Sequence, residues 1–227
     1  ARGLPAMLRL AELAVVENPY TARFAARHVS QVAIITGPID TQRYCGANSE
    51  VDGNGQVVLG WIGSATTLPY LDLIAAPLER LCRRFPQVRL CLIGAHEAPR
   101  GDFPVEVKAW RLEDEVEDLR GFDIGLMPMP DDPWTRGKGG YKLLQYMAMG
   151  LPVVTSPVGV NREIVSDGDN GFWAGDAAEW EERLARLIDD AALRRAMGQF
   201  TVDLRAGDRT SHKRPQPQYG RADIAYA

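Results

Sequence analysis

The residues best suited to chemistry fall between positions 131 and 154, in the run DDPWTRGKGGYKLLQYMAMGLPVV. Gly137, Gly139 and Gly140 let a ligand approach the backbone and open a helix whose free N–H groups can hold an anion. Arg136, Lys138 and Lys142 crowd the same helix start, where the macrodipole is already positive and each cation costs about 0.3–1 kcal/mol. An arriving phosphate reverses that cost. Lys138, Lys142 and Gln145 share one helix face at i, i+4 and i+7, while Leu143, Leu144, Met147 and Ala148 make an apolar face for a sheet. The chemistry this predicts is the cradling of a diphosphate, with the Arg136 guanidinium gripping oxygens in pairs and the lysines acting as point charges. Two lysines alone read as a solvated helix face; the glycines and Arg136 shift the balance toward a ligand. The spacing is neither a P-loop nor a GxGxxG fingerprint. Gly60 and Gly63 form a weaker second phosphate turn.

Such a loop needs elements to hold it, and the chain supplies them. From 57 to 172 short β-rich runs alternate with segments of helical period, the pattern of an α/β, doubly wound parallel sheet. Strands are expected at 57–62, 88–93, 105–110, 123–128 and 152–155, several of them continuous apolar runs suited to burial on both faces. Helices are expected at 68–84, 112–120, 139–149, 162–165, 176–189 and 191–197, with Asp176 as an N-cap. The glycine-rich loop then follows a strand's carboxyl end, where ligands collect in open parallel sheets.

Upstream, 14–17, the helical stretch 20–28 and the strand 32–36 end in the turn Gly37-Pro38-Ile39-Asp40. Four regions are expected: 1–45, a remnant of another domain and its hinge; 46–56, a Gly/Asn/Asp-rich linker; 57–200, the sheet domain; and 201–227, a disordered or non-native tail lacking hydrophobic periodicity. A start at Ala1 and a first element without a partner read as truncation.

The net charge of −4 argues against general nucleic-acid binding. Three scattered cysteines suggest a reducing compartment, and the lack of a long apolar run predicts a cytoplasmic location, with peripheral membrane contact left open. His28, His96 and His212 are isolated and suggest neither a metal site nor a triad.

YKLLQYMAMGLPVV at 141–154, SPVGVNREIV at 156–165 and DGDNGF at 167–172 together resemble the group 1 (family 4) glycosyltransferases, and GPID at 37–40 resembles the hinge that closes their N-terminal domain. The resemblance implies a GT-B fold in which this chain supplies the Rossmann-like, donor-binding half. The implied activity is retaining transfer of a sugar from a nucleotide diphosphate sugar to a glycan, lipid or small-molecule acceptor, usually without a metal and with no cofactor. By position, Gly137, Lys138, Gly139, Gly140 and Lys142 lie near the diphosphate and sugar, Gln145 near the ribose, Trp110 and Arg111 near the base, and Glu163 near the donor. Gly63 and Ser64 form the turn after the first strand. Arg136, Lys138 and Lys142 are the candidates for neutralising charge on the leaving diphosphate.

The chain departs from the family at three places. Many members carry two glutamates with seven residues between them, where this sequence has Gly137 and Gln145. The loop at 64–67 offers no cation. The resemblance stops near Gly198. A non-catalytic binding or scaffold domain derived from the same fold is therefore the alternative reading. Self-association through an exposed domain interface is also left open.

Overall fold

The computed structural model describes residues 3–45 and 55–205. Its centre is a six-stranded, wholly parallel sheet in the order β5-β4-β3-β6-β7-β8. The strands are β3 (Val57–Ile62), β4 (Val88–Ile93), β5 (Val105–Lys108), β6 (Ile124–Met127), β7 (Val153–Thr155) and β8 (Gly171–Trp173). The first strand of this unit, β3, sits in the middle. The chain winds outward through β4 and β5, returns to place β6 against β3, and winds outward the other way. That reversal is the topological switch point, and it leaves a crevice at the carboxyl ends of β3 and β6.

Apolar side chains of both parities make the sheet a buried layer. Leu59 and Trp61 of β3 pack with Leu71, Leu78 and Leu81 on one face, and with Trp180, Leu184 and Leu187 of α8 (Ala177–Asp189). Ile62 and Ile93 point to the other face, among Leu119, Leu143 and Tyr146. Helix α6 (Tyr141–Ala148) carries Leu143 and Tyr146 and lies close to the sheet because β6 has a glycine beneath it. A Cβ on Gly125 would fall 2.5 Å from the Tyr146 ring. The Tyr146 hydroxyl accepts from the Ile62 N–H at 2.9 Å and donates to the Leu126 carbonyl at 3.3 Å. It thus bridges β3 and β6 beyond the two residue pairs at which they are in register, and the crevice opens there.

The expected strands 57–62 and 88–93 form with those bounds, and the other three form slightly shortened. Segment 68–84 begins as a 3₁₀ helix, Leu68–Ile74, before becoming α3 (Ala75–Arg84); Pro77 has no N–H to donate back to Leu73, so one continuous α-helix does not run through the segment. Strand β8, the one-turn helix α5 (Pro133–Arg136) and helix α1 (Gly3–Leu10) were not anticipated. The last helix, α9 (Ala191–Arg205), continues beyond 197 and through 201–205, where no folded segment was expected; its Gly198 packs so tightly that a Cβ would meet the Gly150 carbonyl oxygen at 1.9 Å. The remainder of the expected tail, and 46–54 of the expected linker, lie outside the described residues.

Ahead of the sheet, β1 (Ala14–Val16) and β2 (Val32–Ile34) form a separate parallel pair joined by α2 (Pro19–Ala25). Asn18 caps α2, its side chain accepting from the Thr21 N–H at 2.9 Å, and Pro19 supplies a preset φ at the first position. Met7 and Leu10 of α1, Leu13 and Val15 at β1, and Ile35 after β2 are exposed. No helix among the described residues is long and apolar enough to cross a membrane.

Candidate functional site

The crevice is built from glycines at the strand ends. The Gly63 N–H bonds the Ile93 carbonyl, and the Gly94 N–H bonds the Lys108 carbonyl. Gly94 has φ +81°, and a Cβ there would meet the Gly63 oxygen at 2.2 Å and the Trp110 Cβ at 3.3 Å. The ends of β3, β4 and β5 are thus drawn together as bare backbone, with Trp110 beside them.

Lys142 reaches this place from the first turn of α6. Its Nζ lies 4.4 Å from the centre of the Trp61 ring and 3.3 Å from the Thr67 hydroxyl, next to Gly63. No carboxylate pairs with it among the described residues. Burial, reinforced by the nearby charge of Lys138, pulls its pKa down to about 7. A part-buried ammonium without a carboxylate partner among the described residues, beside the N-terminus of a helix, has the chemistry to receive an anion. Ser64 stands at the same turn, its carbonyl accepting from the Thr67 hydroxyl.

The three candidate catalytic cations are not brought together. Arg136 ends α5 and is engaged by Asp131 through two hydrogen bonds, Nε–Oδ1 at 2.5 Å and Nη2–Oδ2 at 2.9 Å. It shares a cavity of about 270 Å³ with Glu163, Arg23 and Arg162. Lys138 points elsewhere, with its Nζ 5.4 Å from the centre of the Trp134 ring in a cavity of about 440 Å³. Gly140, at φ +74°, caps α6 and touches Ile164 and Val160 of the Glu163 segment. Arg111 is exposed and faces Asp114 at 3.8 Å.

Gln145 is buried, and its amide donates to the Tyr44 hydroxyl at 3.2 Å. Tyr44, from the turn after Gly37-Pro38-Ile39-Asp40, donates in turn to the buried Glu115 carboxylate, whose other oxygen accepts from Trp110 Nε1 at 2.5 Å. Burial and the adjoining Glu115 carboxylate raise the Tyr44 pKa. The four side chains join the turn after Gly37-Pro38-Ile39-Asp40, α4 (Glu115–Arg120), α6 and the end of β5 in one polar chain.

The loop at 137–140 is held from the N-terminal side. Asn18 is 1% exposed and its Nδ2 donates to the carbonyls of Gly137 and Lys138 at 3.0 and 3.1 Å. A Cβ on Gly139 would meet Glu17 Oε2 at 2.3 Å, so this glycine makes room for a carboxylate. Asn18, Glu17, Tyr44, Glu115, Thr67 and Trp61 escaped the sequence reading. Asn18-Pro19 carries a helix-cap signal that could have singled it out. Glu115 lies in an acidic run that reads as solvated surface. No group of three or more His, Cys, Asp or Glu side chains among the described residues is placed to hold a metal ion.

Taken together, strand order and glycine-lined switch point define a doubly wound α/β ligand-binding domain of the kind found as one half of the GT-B fold. The profile of the glycosyl transferases group 1 matches residues 56–190, more than half of the chain. The chain belongs to that family. No curated protein sequence matches it. Among solved structures it resembles a mutant of TarM from S. aureus in complex with fondaparinux, alpha-GlcNAc-glycerol and UDP (TM-score 0.67, 13% identity, 88% of this chain and 41% of that one). HepE from Anabaena in complex with UDP and glucose is similar (TM-score 0.69, 16% identity, 90% and 63%). So is the C-terminal domain of the group 1 protein LpcC from Francisella tularensis (TM-score 0.60, 19% identity, 75% and 97%). The chain therefore spans 41% of the TarM chain and 63% of the HepE chain.

Proposed function

We propose that this chain is the donor-binding half of a retaining glycosyltransferase, holding a nucleotide diphosphate sugar across the crevice between β3 and β6. The observation that carries the reading is Lys142: a part-buried ammonium with no carboxylate partner among the described residues, set beside Gly63 where β3 ends at the switch point. The diphosphate lies between the 63–64 turn and the N-terminus of α6, beside Lys142. The base sits against the strand ends beside Trp110. In the transfer, an acceptor hydroxyl oxygen bonds the anomeric carbon as that carbon's bond to the diphosphate oxygen breaks, and the hydroxyl proton passes to the departing diphosphate. Lys142 neutralises the charge that grows on that leaving group. Glu17 supplies beside the loop the carboxylate that Gly137 lacks.

Calorimetric titration with UDP, GDP and ADP, repeated on Lys138→Ala/Lys142→Ala, tests this. One nucleotide should bind, and the double variant should lose it. A folded chain that binds none of the three contradicts the reading.

The second reading, a non-catalytic module on the same fold, is favoured by one observation: Gln145, the ribose candidate, is buried against Tyr44. It predicts folding without affinity for any nucleotide diphosphate.

A further inference from the structure

The cavity of about 440 Å³ beside the donor loop has a lining of unusual chemistry. Tyr20 and Phe24 from α2 and Trp134 from α5 line it together with Arg23, Arg27 and Lys138. Phe24 and Trp134 are 38% and 67% exposed, so the rings are presented to solvent rather than spent on the core. No carboxylate lines the cavity, and neither Arg23 nor Arg27 forms an ion pair among the described residues. The smaller cavity next to it, which Arg23 also lines, makes the contrast, because there Arg136 is paired with Asp131. In a chain of net charge −4, three unanswered cations around one hollow are not a result of basic composition.

Aromatic faces suit the C–H face of a pyranose ring, and guanidinium groups suit phosphate or carboxylate oxygens. The volume falls in the range of small-ligand sites. Gly137 and Lys138 belong both to this cavity and to the loop that opens α6, so a ligand here lies next to the donor. We infer that this cavity is the acceptor subsite and that it takes a sugar carrying an anionic substituent, a phosphate or a carboxylate. The inference rests on the donor-binding reading above.

The test titrates the full chain with glucose 6-phosphate, glucuronate, glucose and inorganic phosphate at about 1–10 mM, following tryptophan fluorescence and heat. At least one of the two anionic sugars binds, at least tenfold more tightly than glucose or inorganic phosphate. Glucose 6-phosphate alone assigns a phosphorylated acceptor, and glucuronate alone a uronate. Arg23→Gln/Arg27→Gln and Trp134→Ala each weaken that binding at least tenfold and leave the nucleotide diphosphate titration within twofold, which also shows the variants folded. Equal binding of inorganic phosphate, equal binding of glucose, or no binding of any probe overturns the inference while the donor site stands. Anionic-sugar binding by a chain with no affinity for nucleotide diphosphates overturns the acceptor assignment together with the donor reading.

Discussion

The ammonium of Lys142 lies over the face of the Trp61 ring, 4.4 Å from its centre, and that ring occupies the space above Gly63. An ion drawn out of water is held here by a π face and one hydroxyl, and burial pulls its pKa down to about 7. Two expectations follow from that placement.

The first concerns stability. A lysine whose folded pKa is about 7 against an unfolded value near 10.4 binds fewer protons folded than unfolded between those limits. Stability therefore rises with pH from about 7 to about 10, and the cost of the buried charge is in full force below 7. Lys142→Met removes the cost. Urea unfolding should show the variant more stable than the parent at pH 6, with the difference closing by pH 10.

The second concerns ligand binding. A diphosphate beside Lys142 restores its charge, so binding at pH 8–9 draws a proton from the buffer. Titration heats should vary with buffer ionisation enthalpy, and affinity should fall by up to about tenfold per pH unit above 7. Lys142→Met should show neither effect.

Gly63→Ala puts a Cβ 2.3 Å from Trp61 Cζ2 and 2.6 Å from Lys142 Nζ. Overpacking of this kind costs about 1–3 kcal/mol. Because Lys142 must move, nucleotide affinity should drop more than tenfold even where thermal melting shows the variant still folded.

Tyr44→Phe strips one donor from the buried Glu115 and the acceptor from Gln145. Leaving such groups unanswered costs about 1–3 kcal/mol, and Glu115→Gln in the same background should recover part of it. A double-mutant cycle read by denaturant unfolding should give a coupling above about 0.5 kcal/mol.

Asn18→Ala removes the two bonds that hold the Gly137 and Lys138 carbonyls and the cap of α2. The cap alone is worth about 0.5–2 kcal/mol. Hydrogen exchange should accelerate at the amides of 137–140 and of the first turn of α2, with β3 and β6 unchanged.

The parallel sheet was legible because its strands are short apolar runs such as VVLGWI and VRLCLI, spaced by helical segments. The family was legible because the 141–154 run joins a loop to both its neighbouring strands. Strand β8 was missed: three residues beside a turn carry too little periodicity to separate them from loop. Site geometry was less legible still. One loop gave Arg136, Lys138 and Lys142 as a single cluster, whereas the fold points them into three different places, because α5 and α6 turn the chain between them. Glu17 and Tyr44 approach the loop and α6 from far upstream in the chain, and no local pattern encodes such encounters.

Tyr44 also acts as a mooring post. Seated on α6 and α4, it fixes one end of the segment 35–43, whose other end follows β2. At about 3.3–3.6 Å per residue this leash spans no more than about 30 Å. Asn18, bonded to the Gly137 and Lys138 carbonyls, ties β1, α2 and β2 to the glycine loop at a second point, so the unit is made fast to the sheet domain at both ends of this tether.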